Sequence, residues 1–250
     1  MSDPYVKLMV ENNIGYITFF HPDQNAMPAE NLVQLEQAII EAGKNEAIKV
    51  IVLQSGGDRT FCAGASFKEL VAIKTPREGE QFFLGFANVI NAMRECPKLI
   101  IGKVQGKAVG GGVGLAAATD YCLATKFASI KLSELSIGIG PFVIEPAVSR
   151  KIGKTAFSQL AINAEVFFTS DWAKEKGLYA EVYESTEDLD KGIRVLAEKL
   201  SSYNPDALIE MKKMFWENTE NWGALLQERA KISGSLVLSE FTKLALKRFN

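Results

Sequence analysis

Histidine is nearly missing from this chain: among 250 residues there is one, His21. Any Ser-His-Asp triad would have to use it, and no His-rich metal cluster can form. It stands in His21-Pro22-Asp23, a turn signal that reads as a loop. Cysteine is scarce as well. Cys62, Cys96 and Cys122 make no C-x-x-C pair, and an odd count without metal spacing points to reduced, buried thiols rather than a disulfide framework or a metal site. An excess of either charge is also lacking, since 28 Lys and Arg face 30 Asp and Glu. There is thus no basic field to hold a nucleic-acid backbone, and no nucleic-acid partner is expected. No run approaches the ~18 apolar residues of a membrane span, and the opening Met1-Ser2-Asp3-Pro4-Tyr5-Val6 lacks the character of a signal peptide. No membrane partner and a cytoplasmic location are the expectations.

With 47% hydrophobic and 23% charged residues, the chain has the balance of a folded domain large enough for its own core. Val6, Leu8 and Val10 alternate, Glu11-Asn12-Asn13 turns, and Ile14 to Phe20 continues, which predicts a hairpin. Leu32, Leu35, Ile39 and Ala42 recur at helical spacing, with Gly43 as the expected stop. Ile48–Leu53, Leu99–Val104 and Tyr121–Ala124 are nearly continuous apolar runs, as strands covered on both faces require. Helices are expected between them, from about Glu78 to Glu95 and from Gly110 to Ala118. Strand, loop and helix in repeated order predict parallel crossovers in an α/β fold. Beyond Ser170 the pattern turns mostly helical, with a short strand within Leu178–Tyr183.

Between a buried strand and an Ala-rich helix lies Gly106-Lys107-Ala108-Val109-Gly110-Gly111-Gly112-Val113-Gly114. Glycines let a backbone approach a ligand closely, and the free N–H groups of a helix start stabilise negative charge. Three anions compete for such a loop: a nucleotide phosphate, a dinucleotide pyrophosphate, or an oxyanion formed in a reaction. Val148 stands where a Walker motif ending in Gly153-Lys154-Thr155 needs its first glycine. Gly112 to Ala117 fits the loose G-x-G-x-x-A form, but the strand before it ends too early. Tight helix packing without any ligand is a further reading. The oxyanion reading gains from a second small-residue loop, Phe61-Cys62-Ala63-Gly64-Ala65-Ser66. Two such loops can aim two N–H donors at one thioester oxygen, each worth about 3 kcal/mol to an enolate-like transition state.

Phe61-Cys62-Ala63-Gly64-Ala65, the Gly110-Gly111-Gly112 turn with Asp120 behind it, and Leu132-Ser133-Glu134-Leu135-Ser136-Ile137-Gly138 together resemble the enoyl-CoA hydratase/isomerase (crotonase) family in order and spacing. His21 to Met27 and the basic C-terminal helix extend the likeness over nearly the whole chain. The resemblance implies an α/β fold: a crotonase-like spiral of ββα units over residues 1–190, then a C-terminal helical trimerisation module over 191–250. It places an oxyanion hole on the backbone N–H groups of Ala65 and Gly111 and a general acid/base on Glu134. Ala63, Gly64 and Gly110 would contact substrate, and Lys243, Lys247 and Arg248 would grip CoA. It implies an acyl-CoA thioester substrate, no separate cofactor because CoA is part of that substrate, and a homotrimer or homohexamer.

Two departures bear on the chemistry. Many hydratases of the family carry a second glutamate where this chain has Gly114; taken alone, that loss favours isomerisation, which needs one carboxylate. Against it, Gly138 to Pro146 resembles a branch that hydrates branched enoyl-CoAs such as 3-methylglutaconyl-CoA, and Glu145 is a candidate second carboxylate, with a helix-capping role as the simpler reading. Hydration of a 2-enoyl-CoA is the leading expectation, isomerisation by Glu134 alone the alternative, and a non-catalytic acyl-CoA-binding protein the rival from another class. Asp120 reads as structural, Ser66 as a helix cap, Phe82, Phe83 and Phe86 as core or tunnel lining, and Phe215, Trp216 and Trp222 as packing or interface residues.

Overall fold

A computed structural model describes residues 3–247. The hairpin forms as expected, from β1 (Tyr5–Glu11) and β2 (Ile14–Phe20), and Asn12 and Asn13 both take positive φ at its turn. Asparagine visits that region at low cost, and a two-residue turn of this hand matches the twist of the strands. Among the described residues every later pairing between strands is parallel, and one isolated antiparallel bridge joins Ile130 to Phe168. β3 (Val50–Ser55), β5 (Ile100–Val104), β7 (Tyr121–Thr125) and β9 (Glu181–Tyr183) extend the sheet in the order β1-β2-β3-β5-β7-β9.

A second parallel sheet of β4 (Thr60–Cys62), β6 (Lys107–Val109) and β8 (Ile130–Lys131) runs beside the first. Each turn of the chain thus lays one strand in each sheet, and this is the ββα spiral with a helical C-terminal region that the resemblance implies. Strands of two and three residues carry no readable periodicity, so the second sheet is not predicted by the sequence pattern.

Helices α1 (Ala29–Lys44), α2 (Phe67–Ala72), α3 (Pro76–Glu95), α4 (Gly111–Ala118), α5 (Glu145–Ile162) and α6 (Ser170–Glu175) surround the sheets. Gly43 does not end α1, which runs on to Lys44 and closes with the Asn45 N–H donating to the Glu41 carbonyl. α7 (Thr186–Ser201) buries Leu189, Ile193 and Ala197 in a cluster with Val50, Val52, Ile101 and Leu123. It therefore covers a face of the sheet, and the boundary expected after residue 190 falls inside it. The separate helical layer begins with α8 (Pro205–Phe215) and continues through α9 (Trp222–Leu236) and α10 (Glu240–Leu246).

Two contacts fasten that layer. Asp120, read from sequence as structural, accepts from the Ile100 N–H and from Lys212 Nζ, each at 2.7 Å, and from Trp216 Nε1 at 2.6 Å. Asp120 and Lys212 are both buried, and Lys212 also donates to the Met93 carbonyl. α9 then crosses α3 so closely that a Cβ on Gly234 would lie 2.4 Å from the Glu80 nitrogen, and one on Gly79 would lie 2.6 Å from the Gly234 oxygen. Among the described residues, no helix is long and apolar enough to cross a membrane.

Candidate active site

The loop after β4 is shaped by an asparagine far upstream. Asn25 is buried; its Nδ2 donates to the Gly56 and Thr60 carbonyls at 2.8 Å, and its Oδ1 accepts from the His21 N–H. His21 itself accepts from the Asp23 N–H and serves the turn, as the sequence reading expects. The turn brings Met27 into a parallel bridge with Ala65: the Met27 N–H donates to the Gly64 carbonyl and the Ser66 N–H to the Met27 carbonyl. In such a bridge the N–H of the middle residue, Ala65, faces away from Met27. Ser66 then caps α2, accepting from the Glu69 N–H.

The second loop enters α4 through Gly110, at φ +53° and ψ −119°, a backbone state that residues with a Cβ rarely adopt. Gly111 is the first residue of α4, where an N–H has no partner within the helix. Among the described residues, neither the Ala65 nor the Gly111 N–H donates to any protein acceptor. The loops meet at Gly64, whose φ is +90°; a Cβ there would lie 2.9 Å from the Val109 oxygen and 3.5 Å from the Gly111 nitrogen. The structure thus brings the two loops together at Gly64, and among the described residues each loop leaves one N–H without a protein acceptor.

Glu134 opens a single 3₁₀ turn, Glu134–Ile137, directly after β8. Its side chain lies across Gly110, where a Cβ would come within 2.8 Å of Glu134 Oε1. The residue as a whole is half-buried, but Oε2 is sealed from solvent and has no hydrogen-bond partner. Burial pushes the carboxyl up from its ordinary 4.5 to about 7, against a smaller downward pull from its own backbone N–H. A group poised there can take and return a proton at neutral pH.

Ala63, Gly64, Ala65, Gly110, Gly111 and Glu134 share one cavity of about 190 Å³. That is smaller than the few hundred Å³ of sites that enclose a whole drug-sized ligand, so it suits the acyl end of a larger molecule. Phe67, Leu70, Phe82, Phe83, Phe86, Ile139, Val143 and Ile144 contribute to an apolar wall, which places the expected Phe82, Phe83 and Phe86 at the lining. Phe86 lies on the glycine loop itself: a Cβ on Gly111 would come within 2.3 Å of its ring.

The sequence-profile comparison matches the enoyl-CoA hydratase/isomerase family over residues 9–243. The chain belongs to that family. Among curated relatives, a peroxisomal Δ(3,5)-Δ(2,4)-dienoyl-CoA isomerase of Arabidopsis thaliana is 29% identical, over 86% of this chain and 81% of its own. A probable enoyl-CoA hydratase of Bacillus subtilis is 24% identical, over 98% and 95%. Among solved structures, an enoyl-CoA hydratase from Bacillus halodurans superposes with a TM-score of 0.91 at 22% identity, covering 98% of this chain and 99% of its own, a likeness of fold. As a member of this family of enzymes, the chain has enoyl-CoA hydratase/isomerase activity on acyl-CoA.

Not every expected group reaches the cavity. Glu145 is buried at the start of α5, where Oε1 accepts from Ser149 Oγ at 2.7 Å and pairs with Lys154. It lines an adjoining groove with Lys154 and Arg229 and is not part of the wall around Glu134; its carboxylate is held by Ser149 and Lys154, and among the described residues no side chain caps α5. On α4, Gly114 is packed beneath Ile144, whose Cγ2 would lie 2.4 Å from an added Cβ; this is the position at which the resemblance implies a second glutamate in many hydratases. Lys243 is exposed and pairs with Glu240, Lys247 is exposed, and neither lines the cavity. Arg248 lies outside the described residues. The sequence reading missed Asn25, Ile144 and Ser233, the last a cavity residue from α9. Asn25 stood in plain sight within the His21–Met27 motif; the other two carry no local signal. Cys62, Cys96 and Cys122 are free and buried, and among the described residues no group of three acidic, His or Cys side chains could hold a metal.

Proposed function

We propose that this enzyme moves the double bond of an enoyl-CoA, using Glu134 as the single proton carrier. A 3-enoyl thioester would place its carbonyl oxygen between the Ala65 and Gly111 N–H groups. Glu134 removes a proton from C2, the electron pair moves into a dienolate whose charge rests on the thioester oxygen, and the same carboxyl returns the proton at C4. The product is the 2-enoyl-CoA, the carboxylate is regenerated, and no cofactor is required because CoA belongs to the substrate.

One observation carries this reading: Ile144 fills the space beside Gly114 from which a second carboxylate would act. Adding water requires holding it while a proton is delivered to the neighbouring carbon, and the cavity around Glu134 is lined largely by apolar side chains, Val143, Ile144 and Phe86 among them. A dry wall suits a proton shuttle. Hydration stays as the second reading, supported by relatives named as hydratases and by Ser133, a hydroxyl-bearing side chain next to Glu134 in the same wall. Exposed Met211, Met214 and Phe215 on α8 offer an apolar surface that the trimer or hexamer of similar proteins would cover.

NMR of the protein in heavy water with a 3-enoyl-CoA and, separately, a 2-enoyl-CoA tests the choice. A shifted double bond without hydroxylation is the expected result, with deuterium at C4 well below full because part of the proton taken from C2 is carried there. A 3-hydroxyacyl product formed from the 2-enoyl substrate at a comparable rate would replace isomerisation by hydration.

A further inference from the structure

Three polar side chains, Ser133, Glu134 and Ser233, line the cavity, and the proton transfer uses one. Ser233 is 1% exposed, and its hydroxyl has no hydrogen-bond partner among the described residues. A helical serine commonly relieves itself by bonding the carbonyl one turn back. Ser235 does so, donating to the Lys231 carbonyl at 3.0 Å. Ser233 makes no such bond, so its donor and acceptor are both left for something that enters the cavity.

Its place is fixed by the helix crossing. Gly234, the next residue, touches α3 at Gly79 and Glu80, whereas Phe86 on the same helix touches Gly111. Two turns of α3 separate those contacts, roughly 10 Å at 1.5 Å per residue. Ser233 thus stands well beyond the reacting carbons, with Phe82 and Phe83 in the wall between.

We propose that Ser233 is a specificity-determining residue that hydrogen-bonds an uncharged oxygen, a hydroxyl or carbonyl, carried on the acyl chain several carbons from the thioester. Among the described residues no Lys, Arg or His lines the cavity, so a buried carboxylate would lack a counter-charge. A plain alkyl chain would leave the serine unpaired, and a site built to bond an oxygen discriminates strongly against the analogue without it. The inference rests on the acyl-CoA reading of the cavity and not on which reaction Glu134 performs.

The test is calorimetric binding of saturated acyl-CoAs of six to ten carbons, with and without a terminal hydroxyl, to the wild-type protein and to Ser233→Ala. At the length that reaches Ser233, the hydroxylated member is expected to bind about tenfold more tightly, a preference Ser233→Ala abolishes while leaving the alkyl member unchanged. The same pair supplied as 3-enoyl-CoAs should show the difference in kcat/KM. Equal binding of both members at every length overturns the proposal, as does a parallel loss of both in the variant. A hydroxyl preference in binding without any double-bond shift supports Ser233 and rejects the isomerase reading.

Discussion

A carboxyl sealed from water holds its proton to higher pH than one in solution, and at Glu134 this governs both rate and stability. The base form is needed for catalysis, so kcat/KM should rise with pH through a single ionisation near 7. A profile already flat from pH 5 upward would place the proton transfer elsewhere. For stability the sign is opposite. The folded value, about 7, lies above the ordinary 4.5, so between them the native state binds more protons than the unfolded chain. Stability then falls as pH rises across that window and levels off above it, by about 3 kcal/mol at most. Glu134→Gln should abolish turnover, keep acyl-CoA affinity, and remove this decline in urea denaturation compared at pH 5 and pH 8. The motif around Glu134 was legible in the sequence; its environment was not, since Gly110, against which the carboxylate lies, belongs to a different loop. Gly114 was legible as an absence, but only packing reveals that Ile144 occupies the place. Gly114→Glu alone should therefore unfold at lower temperature without gaining hydration, whereas Gly114→Glu with Ile144→Ala should be better tolerated and add measurable hydratase activity.

At the scale of elements, the site is a junction of two loops, each entering a helix. Gly110→Ala should lower kcat by about 10²-fold or more, because the new methyl both strains a positive φ and pushes on the Glu134 carboxylate, disturbing base and donor together. Stopped assays at saturating substrate would show it, and an unchanged kcat would mean that the loop is not held by Glu134. The amphipathic helices were readable because each repeats its period several times, and the buried strands because their apolar runs are nearly continuous. β4, β6 and β8 were not, since two or three residues repeat nothing, and α1 ran past Gly43 because packing against Cys96 and Pro97 favours a glycine there. The turn at Asn25 shows the limit from another side: its residues announce a turn, but its hydrogen bonds to Gly56 and Thr60 belong to the tertiary fold.

Over the whole molecule, the helical layer is attached through Asp120, Lys212 and Trp216, and a buried pair that loses one member leaves the other charged and unmatched. Asp120→Ala should cost roughly 3–5 kcal/mol in chemical denaturation, and an effect below ~1 kcal/mol would show that Lys212 finds another partner. The acidic partner was legible as structural, but its counterion, 92 residues away in the chain, was not. The expected boundary after residue 190 lies inside α7, which looks in sequence like the helices after it, yet its apolar stripe faces the sheet.

The crossing of α9 over α3 has an outcome in the order of synthesis. The oxyanion loops and Glu134 leave the ribosome in the first part of the chain, but the wall bearing Ser233 comes near its end. Until α9 has emerged and locked against Gly79, Phe82 and Phe83 face solvent, a natural contact for a chaperone. A chain halted before Trp222 would carry every group of the proposed proton transfer and still present an open, sticky groove in place of a closed cavity.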